Sequence, residues 1–177
     1  MSSICAFTGY RPQKKFSFGN DERSLMCRSL KQRIFCEILK LTAEGTTTFI
    51  TGMARGVDTW AAETVLQLKG IIPNREIKLW AAIPYARQAE AWAEEDQKRY
   101  YQILGQADRI EYISTAYYYD ALRERNRWLV DHADCLLAVY DGQPGGTKYT
   151  IDYARKMGLR IILINPDLTK GGTEGYQ

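Results

Sequence analysis

The sequence predicts a three-layer α/β sandwich built on a mostly parallel sheet of about six strands. Three observations predict it. Short apolar runs alternate with longer amphipathic stretches, the rhythm of β-α-β units. Two of the short runs, Cys-Leu-Leu-Ala-Val-Tyr at 135–140 and Ile-Ile-Leu-Ile at 161–164, are apolar throughout, as strands covered on both faces should be. Glycine-rich turns follow several strand ends. Together these define a Rossmann-like α/β fold.

In chain order, the first strand is expected over Ile4–Thr8 and the second over Thr47–Thr51, followed by Ile77–Ile83, Arg109–Ile113, Cys135–Tyr140 and Arg160–Ile164. A helix near 22–43 separates the first two, because Leu30, Ile34, Ile38 and Leu41 trace one face at helical spacing. Further helices are expected near 57–69, 87–104, 119–131 and 147–157. Gly158 stands where a left-handed residue would close the last one.

A chain of 177 residues with 45% hydrophobic and 25% charged residues reads as one domain, here 1–168, with a polar, glycine-rich and flexible tail at 169–177. The net charge of +3 is mild and does not by itself advertise nucleic acid. No apolar run approaches the ~20 residues that span a bilayer. The N-terminus lacks the basic start and long apolar stretch of a signal peptide, so the expected location is the cytoplasm, with no membrane partner. Cys5, Cys27, Cys36 and Cys135 show neither a CxxC pair nor zinc spacing and read as reduced core thiols. With His132 as the sole histidine, no metal site is expected. The composition leaves room for a homo-oligomer.

Chemistry concentrates at three strand-to-helix turns. In the first, Thr51-Gly52-Met53-Ala54-Arg55-Gly56-Val57-Asp58, glycines at both ends let the backbone turn and approach a ligand. The helix that follows offers unpaired N–H groups to an anion, and Arg55 adds a planar donor. As a plain turn, the same residues would leave Asp58 as an N-cap and Arg55 in solvent. The second turn is Asp141-Gly142-Gln143-Pro144-Gly145-Gly146-Thr147, where Thr147 either caps a helix or bonds a phosphate oxygen. The third is Thr8-Gly9-Tyr10-Arg11 after the first strand. All three should lie on one edge of the sheet, within reach of a single mononucleotide.

Other features weigh less. There is no GxxxxGK[ST] and no GxGxxG, which argues against Walker-type ATP hydrolysis and the standard dinucleotide fingerprint. Glu94-Glu95-Asp96 reads as a solvated helix face, and Tyr117-Tyr118-Tyr119 and Trp92 as core, as cover or as a stacking surface for a base. Arg123, Arg125 and Arg127, with Asn126 among them, precede a buried strand, and one of the arginines could point at a pocket.

The segments Phe7-Thr8-Gly9-Tyr10-Arg11-Pro12, Gly52-Met53-Ala54-Arg55-Gly56-Val57-Asp58-Thr59-Trp60-Ala61-Ala62-Glu63, Arg125–Asp131 and Gly145-Gly146-Thr147 resemble the YpsA-like family of the SLOG superfamily. Pro84-Tyr85-Ala86-Arg87-Gln88, followed by Trp92, looks like the same family and implies Gln88 as a pocket residue. The resemblance implies binding of a nucleotide or nucleotide-derived ligand. The Gly-Met-Ala-Arg-Gly block is also similar to the DNA-processing protein Smf/DprA, which implies single-stranded DNA as a partner. The Gly-Gly-Thr turn is similar to the Lonely Guy phosphoribohydrolases, which cleave nucleoside monophosphates. Their Gly-Gly-x-Gly-Thr-x-x-Glu becomes Gly145-Gly146-Thr147-Lys148-Tyr149-Thr150-Ile151-Asp152 here, without the third glycine and with aspartate in a shifted frame.

The expected function is therefore binding of a nucleotide or nucleotide-derived phosphate ligand. Gly52, Arg55, Gly56, Gly145, Gly146 and Thr147 would hold phosphate, Thr8, Gly9 and Arg11 would close the site, and Asp58 would orient Arg55 or a ribose hydroxyl, with Gln88 and Asn126 alongside. A phosphoribohydrolase would use Glu63, Asp141 or Asp152 as its acid or base. Single-stranded DNA would cross the same face with help from Lys14, Lys15 and Arg23.

Overall fold

Ser24 starts the first helix: its hydroxyl accepts the N–H of Cys27 at 3.2 Å, a side-chain cap that ends the long connection from the first strand. The computed structural model describes residues 3–11, 16–72 and 75–167, together with the backbone of Gly175–Tyr176. Along the chain run β1 (Ser3–Gly9), α1 (Leu25–Ala43), β2 (Thr46–Thr51), α2 (Val57–Ile71), β3 (Lys78–Ile83) and α3 (Glu94–Leu104). They are followed by β4 (Arg109–Tyr112), α4 (Ala121–Asp131), β5 (Cys135–Val139), α5 (Gly146–Lys156), β6 (Arg160–Ile164) and β7 (Gly175–Tyr176).

The sheet has the order β4-β3-β2-β1-β5-β6-β7. The first six of these strands are mutually parallel, and β7 pairs antiparallel with Ile161 and Ile162. The alternation of side chains along each strand splits the core into two layers. Cys5, Phe7, Phe49, Leu137 and Val139 face α1, α2 and α3, whose Leu30, Ile34, Trp60, Val65 and Ile103 pack over them. Ala6, Ile50, Leu136 and Ala138 face α4 and α5, meeting Leu129, Val130, Ile151 and Ala154. No described helix is long and apolar enough to cross a membrane.

All six expected strands are present, with ends displaced by a residue or so. The third helix is the largest departure, starting at Glu94 rather than 87. Residues 85–92 form successive tight turns, with Gln88 N–H to Tyr85 O at 3.1 Å, Glu90 N–H to Arg87 O at 3.2 Å and Trp92 N–H to Ala89 O at 3.0 Å. Gln88 breaks the helical pattern because its side chain is drawn inward to the Met53 carbonyl, 2.7 Å away. Gly158 does take a left-handed φ of 77° after α5. Of the tail expected to be flexible, Gly175–Tyr176 adds β7, and 168–174 and 177 lie outside the described residues. Cys5, Cys27 and Cys135 are buried, whereas Cys36 is exposed on α1.

The connection from β1 to α1 is fastened to α2 and α3 by an aromatic and ionic cluster. Trp60 is 2% exposed beneath Phe16 and Phe18 and donates its indole N–H to Glu22 at 2.9 Å. Arg99 on α3 bonds Glu22 at 2.7 and 3.1 Å and Glu63 at 2.5 and 2.7 Å. Burial alone would raise the Glu22 pKa, but the bonds from Arg99, Lys31 and Trp60 outweigh it and bring the carboxyl down to about 2. A carboxylate depressed in this way adds stability above its unfolded value near 4.5, and that stability drains away as pH falls toward 2. Glu22→Gln should cost about 2 kcal/mol at neutral pH, the low end for bonds to a charged group because Glu22 is partly open to solvent. Urea titrations of both proteins should show the gap shrinking between pH 4.5 and 2; a gap independent of pH would mean that Glu22 acts through packing.

Candidate functional site

The strand order reverses at β1, which has β2 on one side and β5 on the other, so the connections that leave the carboxyl ends of β1 and β5 part around a crevice. A cleft of about 340 Å³ opens there. Its walls are Thr8, Gly9, Tyr10 and Arg11 from the end of β1, Ala54 and Asp58 from the turn after β2, Leu122, Arg125, Asn126 and Leu129 from α4, and Gly146 and Thr147 from α5. The three glycine-rich turns thus meet at one sheet edge.

Two glycines make this convergence possible, and each yields space to the protein's own side chains. A Cβ on Gly9 would lie 2.5 Å from the Val57 Cβ, so β1 and the start of α2 can touch only without it. A Cβ on Gly52 would lie 1.9 Å from Arg125 Nη1 and 2.8 Å from Asp58 Oδ2. The close approach at Gly52, expected to serve a ligand, is taken up by Arg125.

Arg125 is the floor of the cleft. Ala121, Arg125 and Leu129 are all buried at i, i+4 and i+8, which sets a guanidinium on the apolar stripe of α4. Arg125 Nη1 donates to the Gly52 carbonyl, Nε donates to Asn126 Oδ1 at 2.9 Å, and the guanidinium lies 3.8 Å from the Asp58 carboxylate. Asp58 also accepts the Ala54 N–H at 3.2 Å. Burial raises the Asp58 pKa and lowers that of Arg125, and each is the other's main opposing charge. The pairing of Asp58 expected with Arg55 is made with Arg125 instead, and the N-cap of α2 is Gly56, at a φ of 88°.

The electrostatics of the two helix starts differ. α2 carries Asp58 in its first turn, so its N-terminus is already matched by a buried carboxylate. α5 has the glycine cap Gly145, no side-chain cap bond and no acid in its first turn. Gly146 and Thr147, at the helix start whose first N–H groups have no partner within the helix, line the cleft, and so does the exposed Arg11.

The remaining expected residues fall elsewhere. Arg55 and Gly56 line a smaller neighbouring cleft of about 140 Å³ with Trp92 and Asp96. There Arg55 pairs with Asp96 at 3.3 Å and lies 5.4 Å from the centre of the Trp92 ring, because the turn projects it toward α3, away from β1. Gln88 is buried, and its bond to the Met53 carbonyl holds a residue with a left-handed φ of 54°. Glu63 is engaged by Arg99. Asp152 meets Lys148 and Arg155 on the outer face of α5. Asp141 accepts the Tyr10 hydroxyl beside the cleft mouth, where burial and this carboxylate push the tyrosine well above its usual range. Gly145 caps α5 just behind the lining. Arg23 is exposed ahead of α1, and Lys14 and Lys15 lie outside the described residues. His132 stacks on Trp128 with ring centres 3.9 Å apart. No cluster of potential metal ligands occurs among the described residues.

Sequence reasoning offered Arg125 as one of three arginines that could point at a pocket, without choosing among them, and did not single out Leu122 and Leu129 as lining residues. The usable signal was the arginine standing on an otherwise apolar stripe at 121, 125 and 129.

A parallel sheet reversing at β1, sandwiched by helices and with glycine turns around the reversal, is a Rossmann-like α/β domain of the SLOG type. The chain belongs to the YspA SLOG family, whose sequence profile matches residues 5–167. It is 32% identical over 158 residues to a UPF0398 protein of Bacillus cereus (strain B4264), an alignment covering 88% of this chain and 84% of that protein. A UPF0398 protein of Bacillus thuringiensis (strain Al Hakam) matches to the same extent. Among solved structures, DNA processing protein A from Helicobacter pylori, described with a single-stranded DNA binding mode, superimposes with a TM-score of 0.65 at 16% identity, covering 95% of this chain and 67% of that one. DprA from Streptococcus pneumoniae gives 0.62 at 17% identity, covering 94% of this chain and 52% of that one. At these identities the likeness concerns the fold.

Arg125→Ala should destabilise the protein by about 3–5 kcal/mol, since it leaves the Asp58 carboxylate buried without its cation. Adding Asp58→Asn should return a good part of the loss, readable as non-additivity in urea unfolding. Additive losses would show that the two side chains do not depend on each other.

Proposed function

We propose that the chain binds a nucleotide or nucleotide-derived ligand in the cleft at the sheet reversal, with a phosphate seated on the N-terminus of α5. The carrying observation is that this helix start, lacking both a side-chain cap and a first-turn acid, opens into the same cleft as Arg11. A phosphoryl group there would accept N–H bonds from Gly146 and Thr147, with the Thr147 hydroxyl and the Arg11 guanidinium alongside. Thr8, Gly9 and Asn126 would border the sugar, and Asp58 offers a carboxylate to a ribose hydroxyl. Leu122 and Leu129 give an apolar wall for a base. The volume of about 340 Å³ suits a mononucleotide-sized molecule.

Single-stranded DNA is the second reading, supported by the fold shared with DNA processing protein A. Hydrolysis of a nucleoside monophosphate has weaker support. Glu63 and Asp152 turn away from the cleft into ion pairs, and Asp58, the carboxylate on its wall, is committed to Arg125.

Isothermal titration with AMP, GMP, CMP and UMP, together with native mass spectrometry of the freshly purified protein, tests the proposal. Arg11→Ala should weaken mononucleotide binding by roughly ten-fold or more, the scale of one lost charge-assisted bond, while Arg55→Ala should change it by no more than about two-fold. Absence of binding by all four nucleotides at millimolar concentration, with no retained ligand in the mass spectrum, would sink the proposal. Tight oligonucleotide binding with a salt slope of several times −0.7, lost on changing Lys14 and Lys15, would establish the DNA reading instead. Release of ribose 5-phosphate should be absent or very slow, and fast release abolished by Glu63→Gln or Asp152→Asn would establish the hydrolase.

A further inference from the structure

β4 ends the sheet with one edge unpaired. It bonds β3 alone, and its outer side has no strand among the described residues. Such an edge offers a row of backbone donors and acceptors, and chains usually blunt it with a lysine, a proline or a bulge. Here the exposed strand is Arg109-Ile110-Glu111-Tyr112, with Ile110 39% and Tyr112 50% exposed. Tyr101 on α3, which packs on the same side of the sheet as Tyr112, is 59% exposed.

The backbone settles which residues can pair outward. The N–H of Ile113 donates to the Ile83 carbonyl at 2.8 Å, in step with the parallel ladder that joins Tyr112 to Ile83. Residues 109, 111 and 113 therefore turn their backbone groups toward β3, and by strand alternation Ile110 and Tyr112 turn theirs outward. A second copy of this strand can add antiparallel in three registers, since outward residues must face outward residues. Ile110 facing Tyr112 sets Glu111 against Glu111. Tyr112 facing itself leaves Arg109 and Glu111 without opposite-charge partners. Ile110 facing itself sets Arg109 of each chain directly opposite Glu111 of the other, on both sides of the two-fold axis.

We infer that the β4 edge is a self-association surface, on which a second copy pairs antiparallel about Ile110 to continue the sheet across the dimer. The central Ile110 pair exchanges both backbone hydrogen bonds. The two flanking Arg109–Glu111 pairs are of the closer, non-hydrogen-bonded kind, with Cβ atoms about 4.5–5.5 Å apart. The Arg109–Glu111 bond now made within each strand, at 2.8 Å, is exchanged one for one for a pair across the axis. Stacking on Trp80 and Trp128, at 4.9 and 5.6 Å, holds Arg109 on the sheet face from which it would reach its partner. On the opposite face, Ile110, Tyr112 and Tyr101 from both copies form a shared apolar strip. The pairing is isologous, as a two-fold dimer requires.

Sedimentation equilibrium of the full chain tests the inference. The wild-type protein should show a dimer, with half-dissociation on the order of tens of micromolar for so short an edge. Arg109→Glu and Glu111→Arg should each weaken association at least ten-fold, since each sets like charges face to face. An equimolar mixture of the two variants should recover dimer, because an all-acidic edge then meets an all-basic one. Recovery on mixing separates the interface from a folding defect, which mixing would not mend. A monomeric wild type up to several hundred micromolar, single variants that stay dimeric, or a mixture that stays monomeric would each overturn it.

Discussion

Arg125 is held inside the protein by Asp58 and the Gly52 carbonyl, and the layout of the cleft depends on that arrangement. Taking two charges out of water costs several kcal/mol each unless the geometry repays it. The turn after β2 is therefore constrained to present a carboxylate, a carbonyl and a bare Cα to one guanidinium. These demands fall on Asp58 and Gly52, and they tie α4 across the sheet to the start of α2. The paired charges make the floor of the cleft nearly neutral. The positive charge of the cleft lies instead at its rim, in Arg11 and the start of α5, which has no acid in its first turn.

The neighbouring cleft shows the same residue types put to a different use. Arg99 clasps Glu22 and Glu63, Arg55 lies between Asp96 and Trp92, and Trp60 hands its indole proton to Glu22. This network lashes the β1–α1 connection to two helices and so steadies the stretch from which Tyr10 and Arg11 reach the main cleft. Charges that satisfy one another in this way stabilise a wall. On the proposed reading, Arg11, which shares the main cleft with a helix start lacking an acid, is the charge that receives a ligand.

The periodicity of apolar residues was enough to place the six parallel strands and the side of the sheet on which the turns gather, because both follow from patterns within a few residues. It could not tell Arg55 from Arg125. Both are arginines beside glycine-rich or polar segments, and which one enters the cleft depends on the direction in which the Gly52–Gly56 turn leaves the sheet, a tertiary matter. Gly52 was recognised as a close approach, but the approaching group is a side chain 73 residues further on. Gln88 was picked out through family resemblance, and its amide holds the strained Met53 from behind. The misplaced start of α3 has the same origin, since helical spacing through 87–93 is defeated by Gln88 turning inward. The stripe of Ala121, Arg125 and Leu129 was the one legible clue to the buried ion pair, and it needed the helix boundaries to be read.

The sheet order has a consequence for the chain as it is made. β1 pairs in parallel with β2, which follows it after a single helical crossover, but its other edge must wait for β5, with Cys5 meeting Cys135, a residue 130 positions further along the chain. Until β5 emerges, the first strand is itself an open edge with Ala6 and Phe7 uncovered on that side, and such edges invite wrong partners. The half of the protein built from β1 to β4 can assemble from near neighbours, whereas closing the long loop to β5 is entropically costly and comes late. The site lies on the seam between these two halves. A nascent or truncated chain that lacks its last third therefore holds β1 to β4 but only the wall of the pocket built from β1 and the turn after β2, without Arg125, Gly146 and Thr147.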